Sequence, residues 1–143
     1  MSVIFRRAVE AIGPAHYSPA QVAAWAARTP DAAAIHARAM DGRTMLVVAD
    51  DTDQAVAFGD LEAGGHIDLL YCAPEAARSG VVGVLYDTLE AIARERGMRR
   101  LHSEASEAAM RFFARKGFTT LHRRDLEIGG VAIHNYAVEK LIR

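Results

Sequence analysis

Asp68 interrupts the apolar run HIDLLYCAP, residues 66–74. A carboxylate in a strand of that kind is costly unless it is solvated or partnered. A carboxylate placed beside a reacting group can act as a general base. Glu104 stands near the end of a second such run, MRRLHSEA, residues 98–105, and Ser106 follows it. Glu104 offers a second base; Ser106 offers a helix cap or a relay of a proton through water. Between the runs, the loop Arg78–Ser79–Gly80 opens a long amphipathic pattern, residues 80–96. The first N–H groups of a helix have no partner within it and favour anions. A glycine at that mouth lets an anion approach the backbone. The types and spacing therefore suggest proton transfer at Asp68 or Glu104 and phosphate binding at Arg78–Gly83. The structural alternatives are a cleft carboxylate bonded to a neighbouring turn, and a glycine needed only for helix entry.

Several elements must hold these residues. SVIFRRAVEAI (2–12) repeats its apolar residues at i, i+3, i+4 and i+7, which predicts a helix ended by Gly13-Pro14. Ser18-Pro19 and Thr29-Pro30 are start signals for two more helices. RTMLVVAD (43–50) and DQAVAFGDLE (53–62) then read as a strand hairpin, and residues 66–74 as a third strand. The helix over 80–96 is expected to bury Val81, Val84, Leu85, Thr88, Leu89, Ile92 and Ala93. A strand at 98–105, a helix at 106–117 capped by Ser106 and closed by Gly117, and a hairpin around Gly129-Gly130 complete the chain. The third strand, the long helix and the next strand form a βαβ unit. The class is α/β (α+β): one mixed, mostly antiparallel sheet with helices on both faces.

Length and composition narrow the field. The 143 residues are enough for one domain with a real core. Formal net charge is −1, which gives no argument for nucleic acid or an anionic membrane as partner. Cys72 is the single cysteine, so there is no internal disulfide and no cysteine-built zinc site. The six histidines lack i, i+3 or i, i+4 spacing, and no metal is expected. No run is apolar for long enough to span a bilayer and no secretory signal opens the chain, so a cytoplasmic location is expected.

The block from His66 to Gly97, followed by LHSEASEAAMRFFARKGF, resembles the GNAT superfamily of coenzyme A-dependent N-acetyltransferases. In that family an apolar strand ending in Pro leads to Gln/Arg-x-x-Gly-x-Gly/Ala at a helix start. A later strand leads to Asn-x-x-Ala-x-x-x-Tyr-x-x-x-Gly-Phe. Here the second pattern reads Ser106-x-x-Ala109-x-x-x-Phe113-x-x-x-Gly117-Phe118. The resemblance covers residues 43–141, and HYSPAQVAAWA looks like a subgroup of small bacterial members. Three positions depart: Ala77 for Gln/Arg, Val82 for the second Gly/Ala, and Phe113 for Tyr. The strand that usually precedes the first helix is missing from the pattern. That leaves a sheet edge open to a second subunit, and a homodimer is expected.

The resemblance implies acetyl-coenzyme A as co-substrate, with direct attack of an amine on its thioester. The acceptor would be an amine of a small molecule or an exposed protein amine. A catalytically silent acyl-coenzyme A sensor or interaction module is the alternative, motivated by the three departures. Asp68 falls where several family enzymes carry a glutamate base, with Glu104 next in order. By the same resemblance the cofactor would touch Leu70, Tyr71, Cys72, Arg78, Ser79, Gly80, Val81, Val82, Gly83, Ser106 and Phe113, and backbone N–H groups of Leu70 to Cys72 would hold the oxyanion. Phe113 removes the usual acid, and Ser106 or Tyr136 could relay a proton instead. Cys72 reads as a small strand hydrophobe rather than an acyl carrier. Arg111, Arg115 and Lys116 form either a 3′-phosphate contact or a solvated helix face.

Overall fold

The computed structural model describes all residues from Met1 to Arg143. Three helices come first: α1 (Ser2–Ile12), α2 (Pro19–Ala26) and α3 (Ala32–Met40). Helix α2 starts where Ser18 and Gln21 form a capping box behind Pro19. Asp31 caps α3 by accepting from the Ala34 N–H at 2.8 Å. Helix α1 buries Ile4, Phe5, Ala8 and Val9, the face its periodicity announced.

Strands β1 (Thr44–Ala49), β2 (Ala55–Leu61) and β3 (Leu70–Cys72) follow. Helix α4 (Val81–Glu95), strand β4 (Arg100–Ala105), helix α5 (Met110–Arg115) and the hairpin β5 (Thr119–Ile128)–β6 (Val131–Leu141) complete the order. Two ladders result, β1-β2-β3 and β4-β6-β5, and every strand pair within them is antiparallel. They meet through one parallel bridge, His66 to His102. The expected single mixed sheet is therefore divided at its middle.

Beside the division sits Asp60, whose Oδ1 accepts from the N–H of both Asp68 and Leu69, at 2.9 and 2.8 Å. Two successive N–H groups thus turn to one side chain instead of a backbone ladder. The expected strand over 66–74 accordingly shortens to three residues. Gly65 permits the close approach just before the bridge: it has φ +88°, and a Cβ there would fall 2.1 Å from the Arg100 carbonyl oxygen.

Helices cover both faces. On one, α4 packs Leu85, Tyr86, Leu89 and Ala93 inward, joined by Leu101, Phe113, Phe118 and Val138. On the other, Phe5, Val9 and Tyr17 meet Phe58, Leu69 and Ile133. The stripe read for α4 is rotated from the real one, since Val84 and Thr88 are exposed while Tyr86 is fully buried. Tyr86 earns that place by edge-on contacts with Phe112 and Phe118. Helix α5 begins four residues later than expected. Ser106 caps the preceding turn, its Oγ accepting from the Ala109 N–H at 3.3 Å.

Candidate active site

Where the ladders part, β3 exposes one side of its backbone. Asp60 N–H donates to the Leu69 carbonyl and Ala73 N–H to the Val56 carbonyl. Leu69, Tyr71 and Ala73 thus direct their backbone groups toward β2, and by alternation Leu70 and Cys72 direct theirs into the gap before β4. The gap is pinned at its closed end. Ile67 N–H donates to the His102 carbonyl at 2.9 Å, and Ser103 Oγ–H donates to the Ile67 carbonyl at 2.6 Å.

A cavity of about 310 Å³ opens beside this gap. It brings together Asp68, Glu104 and Ser106, which arrive from the segment before β3, the end of β4 and the turn after it. Phe5, Tyr17, Trp25 and Tyr71 give it an aromatic wall. Both carboxylates are partnered. Asp68 is ion-paired to Arg38, with Arg43 at 3.9 Å. Glu104 accepts from His66 Nε2 at 3.0 Å, and His66 Nδ1 lies 3.2 Å from Glu62. The hydrogen bond to Glu104, with the charges of Glu104 and Glu62, pushes His66 up to about 9, so the imidazole is cationic at neutral pH. The same bond holds the Glu104 carboxyl below its ordinary range.

Behind Asp68 sits Asp60, with no exposed surface. Arg43 Nη1 donates to it at 2.8 Å, and burial pushes its carboxyl up against that help. Tyr17 is buried and ties three elements: its hydroxyl donates to the His134 carbonyl and accepts from the Glu107 N–H, both at 3.0 Å. Glu107 in turn accepts from Tyr136 at 2.5 Å and from His134 Nε2 at 2.7 Å. The hydrogen bonds from Tyr136 and His134 lower its carboxyl.

The loop at the head of α4 forms a second cavity of about 270 Å³, lined by Arg78, Gly80, Val81, Val82, Gly83, Arg115 and Lys116 among others. Gly80 has φ +87°, and nothing lies within 4 Å of where a Cβ would stand. The N–H groups of Gly80, Val82 and Gly83 have no protein acceptor. Arg78 also takes a left-handed conformation, at φ +64°. Ser79 stiffens the loop, its Oγ–H donating to the Ala76 carbonyl at 2.5 Å. The open space, the free donors and three cationic side chains fit a pyrophosphate. Arg115 and Lys116 are thus brought to the loop, while Arg111 lines neither of these two cavities.

Two of the expected contact residues have buried side chains. Phe113 is 4% exposed and packs on Phe118 and Phe112 in the core, which leaves it no face toward either cavity. Cys72 is 8% exposed, and burial raises its thiol, which suits a hydrophobe and not a nucleophile. Asp60, Arg38 and His66 escaped the sequence reading as site residues. Asp60 carried a signal, since it breaks the apolar run AVAFGDL as Asp68 breaks its own. Arg38 carried none, because its partner lies thirty residues away.

A family model described as the acetyltransferase (GNAT) domain matches residues 14–140. The chain is 31% identical over 140 residues to the uncharacterized N-acetyltransferase YafP of Escherichia coli K12, covering 95% of this chain and 84% of that protein. A crystal structure from Rhodopseudomonas palustris, described as a GCN5-related N-acetyltransferase and as a class-II aminotransferase, is similar at 32% identity and TM-score 0.89. It covers 99% of this chain and 87% of that one. PaiA N-acetyltransferase of Thermoplasma acidophilum, solved with coenzyme A, shares the fold at TM-score 0.74 and 16% identity, covering 99% and 90%.

Proposed function

Because the chain belongs to the GNAT acetyltransferase family, we propose that it acetylates the amine of a small molecule by direct attack on acetyl-coenzyme A. The observation that carries this reading is the parting of β3 and β4, with a carboxylate-bearing cavity beside the gap and a free-donor loop at the start of α4.

Gly80, Val82 and Gly83 hold the pyrophosphate through their N–H groups, with Arg78, Arg115 and Lys116 balancing its charge. Bound acetyl-coenzyme A supplies the thioester carbon that is attacked. Leu70 and Cys72 offer N–H groups in the gap to the oxyanion that forms there. Asp68 takes the proton that the amine gives up as the new C–N bond forms and the C–S bond breaks. Glu104, whose carboxyl is held down by its bond from His66, attracts the incoming ammonium, which releases one proton to water to become the attacking amine. Ser106, on the same wall, passes the proton on through water. The leaving thiolate then takes it up. A thiol's pKa of about 8.5 makes that group tolerable without a dedicated acid, which accommodates the buried Phe113. Cys72 stays out of the chemistry.

The reading includes a cytoplasmic location, in keeping with one reduced cysteine, and pairing of two copies along β1. That strand is an edge of its ladder and exposes Val47. Light scattering showing only monomer at micromolar concentration would remove the dimer.

Free-thiol release from acetyl-coenzyme A across a panel of small amines tests the activity. A parallel thermal shift with coenzyme A tests binding. Release that depends on both amine and enzyme is expected. A cofactor-induced shift with no release on any amine would leave the silent acyl-coenzyme A module instead.

A further inference from the structure

The charges around the larger cavity do not cancel. Asp68 has Arg38 and Glu104 has His66, so both carboxylates are matched within the protein. Two arginines on the same lining are not. Arg124 makes no ion pair, and its one side-chain hydrogen bond is a long one, Nη1 to Asn135 Oδ1 at 3.3 Å. Arg28, exposed at the end of α2, has neither an ion pair nor a side-chain hydrogen bond.

The position of Arg124 is informative. Along β5 the partly buried residues are Arg124, Leu126 and Ile128, and all three line the cavity. A strand's alternation puts such residues on one face. An arginine among inward-facing aliphatics loses part of its hydration, and Arg124 gains no carboxylate within ion-pair distance in return, its charge reaching Glu104 only from farther off. Guanidinium presents a planar fork that matches a carboxylate by two parallel hydrogen bonds. The rest of the lining pairs an apolar side, with Phe5, Trp25, Leu69 and Ile133, with the polar groups of Ser106, His134 and Asn135. At about 310 Å³ the space lies at the small end of ligand pockets, which run about 300–1,000 Å³.

We infer that the acceptor is a small apolar-bodied amine carrying a carboxylate of its own, an amino acid rather than a simple alkylamine or a protein chain, and that Arg124, helped by Arg28 at the rim, receives that carboxylate. The inference rests on the acetyl-transfer reading and refines it. The amine end faces Asp68 and Glu104, and the carboxylate end meets the unpaired guanidinium groups. A simple amine of the same body leaves Arg124 without a counter-ion, so the site discriminates against it.

Matched pairs test this: phenylalanine against 2-phenylethylamine, and leucine against isopentylamine. Both turnover and equilibrium binding by calorimetry are measured, in the wild type and in Arg124→Gln and Arg28→Gln. The amino acid of at least one pair is expected to exceed its plain amine at least tenfold in kcat/KM and in affinity. Arg124→Gln should shrink that ratio at least tenfold, mainly through KM, and Arg28→Gln by less. Equal handling of both members of each pair overturns the inference, as does a ratio unmoved by Arg124→Gln. If no amine is acetylated, the acetyl-transfer reading fails, and the calorimetric ratios still decide whether the cavity selects a carboxylate.

Discussion

His66 offers a pH-dependent test of the structure that needs no substrate. The perturbation is His66→Gln, which keeps a hydrogen-bonding side chain and removes the charge. In the folded protein the imidazole lies against Glu104 at 3.0 Å and Glu62 at 3.2 Å. The Glu104 hydrogen bond is the main reason its pKa rises from 6.5 to about 9. A raised folded-state pKa means that the stabilisation is full below about 6.5 and is lost as pH climbs through about 9. At 1.36 kcal/mol per pH unit the rise corresponds to about 3 kcal/mol. The Glu104 side chain is 34% exposed, so solvent screening reduces this to about 1–2 kcal/mol. Glu104's own lowered carboxyl reports the same ion pair and is counted once. His102 stacks on His66 at 5.0 Å, and burial, then the charges of Arg100 and His66, lower its pKa. Urea unfolding of wild type and variant at intervals from pH 6 to 10 measures the difference. The wild-type advantage should be largest near pH 6 and shrink by about 1–2 kcal/mol by pH 10. A constant advantage, or one that widens with pH, would refute the ion-paired, cationic His66.

The other variants separate cofactor, chemistry and framework. Gly80→Glu puts a carboxylate into the open space at the head of α4 and forces a side chain onto φ +87°, so the thermal shift with coenzyme A should vanish; an unchanged shift moves the cofactor elsewhere. Asp68→Asn should lower acetyl transfer by at least about tenfold at neutral pH with the coenzyme A shift preserved. A destabilised but fully active variant would pass the role to Glu104 or to a water chain. Asp60→Ala removes the acceptor for two N–H groups and the buried partner of Arg43, so calorimetric unfolding should show a loss of about 3 kcal/mol or more. A loss under about 1 kcal/mol would mean that water replaces the carboxylate freely.

Local signals in the sequence were read well because each is short in range. Ser18-Pro19, the Gly129-Gly130 hairpin and Gly80 at the head of α4 specify geometry within a few residues. Two departures are local: Asp31 rather than Thr29 caps α3, and α5 begins at Met110 rather than after Ser106. The others are long-range. Nothing within 66–74 announces that the strand will shorten to three residues, because the carboxylate that takes the Asp68 and Leu69 N–H groups, Asp60, sits on the neighbouring strand. Phe113 looked like a cofactor contact by motif position, yet the aromatic cluster with Phe112 and Phe118 takes it into the core. The stripe on α4 failed for the same reason, since Tyr86 is buried by partners that come from α5 and the start of β5.

Asp60 also explains why Asp68 can be both exposed to a cavity and fixed in place. A strand carboxylate on a regular ladder would keep its backbone N–H paired with the next strand and leave its side chain free to swing. Here Asp60 takes that N–H, and Arg43 holds Asp60. Arg38 then grips Asp68 from α3 while lying 3.9 Å from Asp60. Two arginines thus serve two carboxylates, one buried and one facing the cavity. The segment that carries Asp68 leads directly into β3, whose alternation turns the Leu70 and Cys72 N–H groups into the gap. Asp60 thus anchors the proposed base beside the proposed oxyanion donors. Displacing Asp60 would disturb both together, whereas Asp68→Asn disturbs only the base, and that difference distinguishes a framework role from a chemical one.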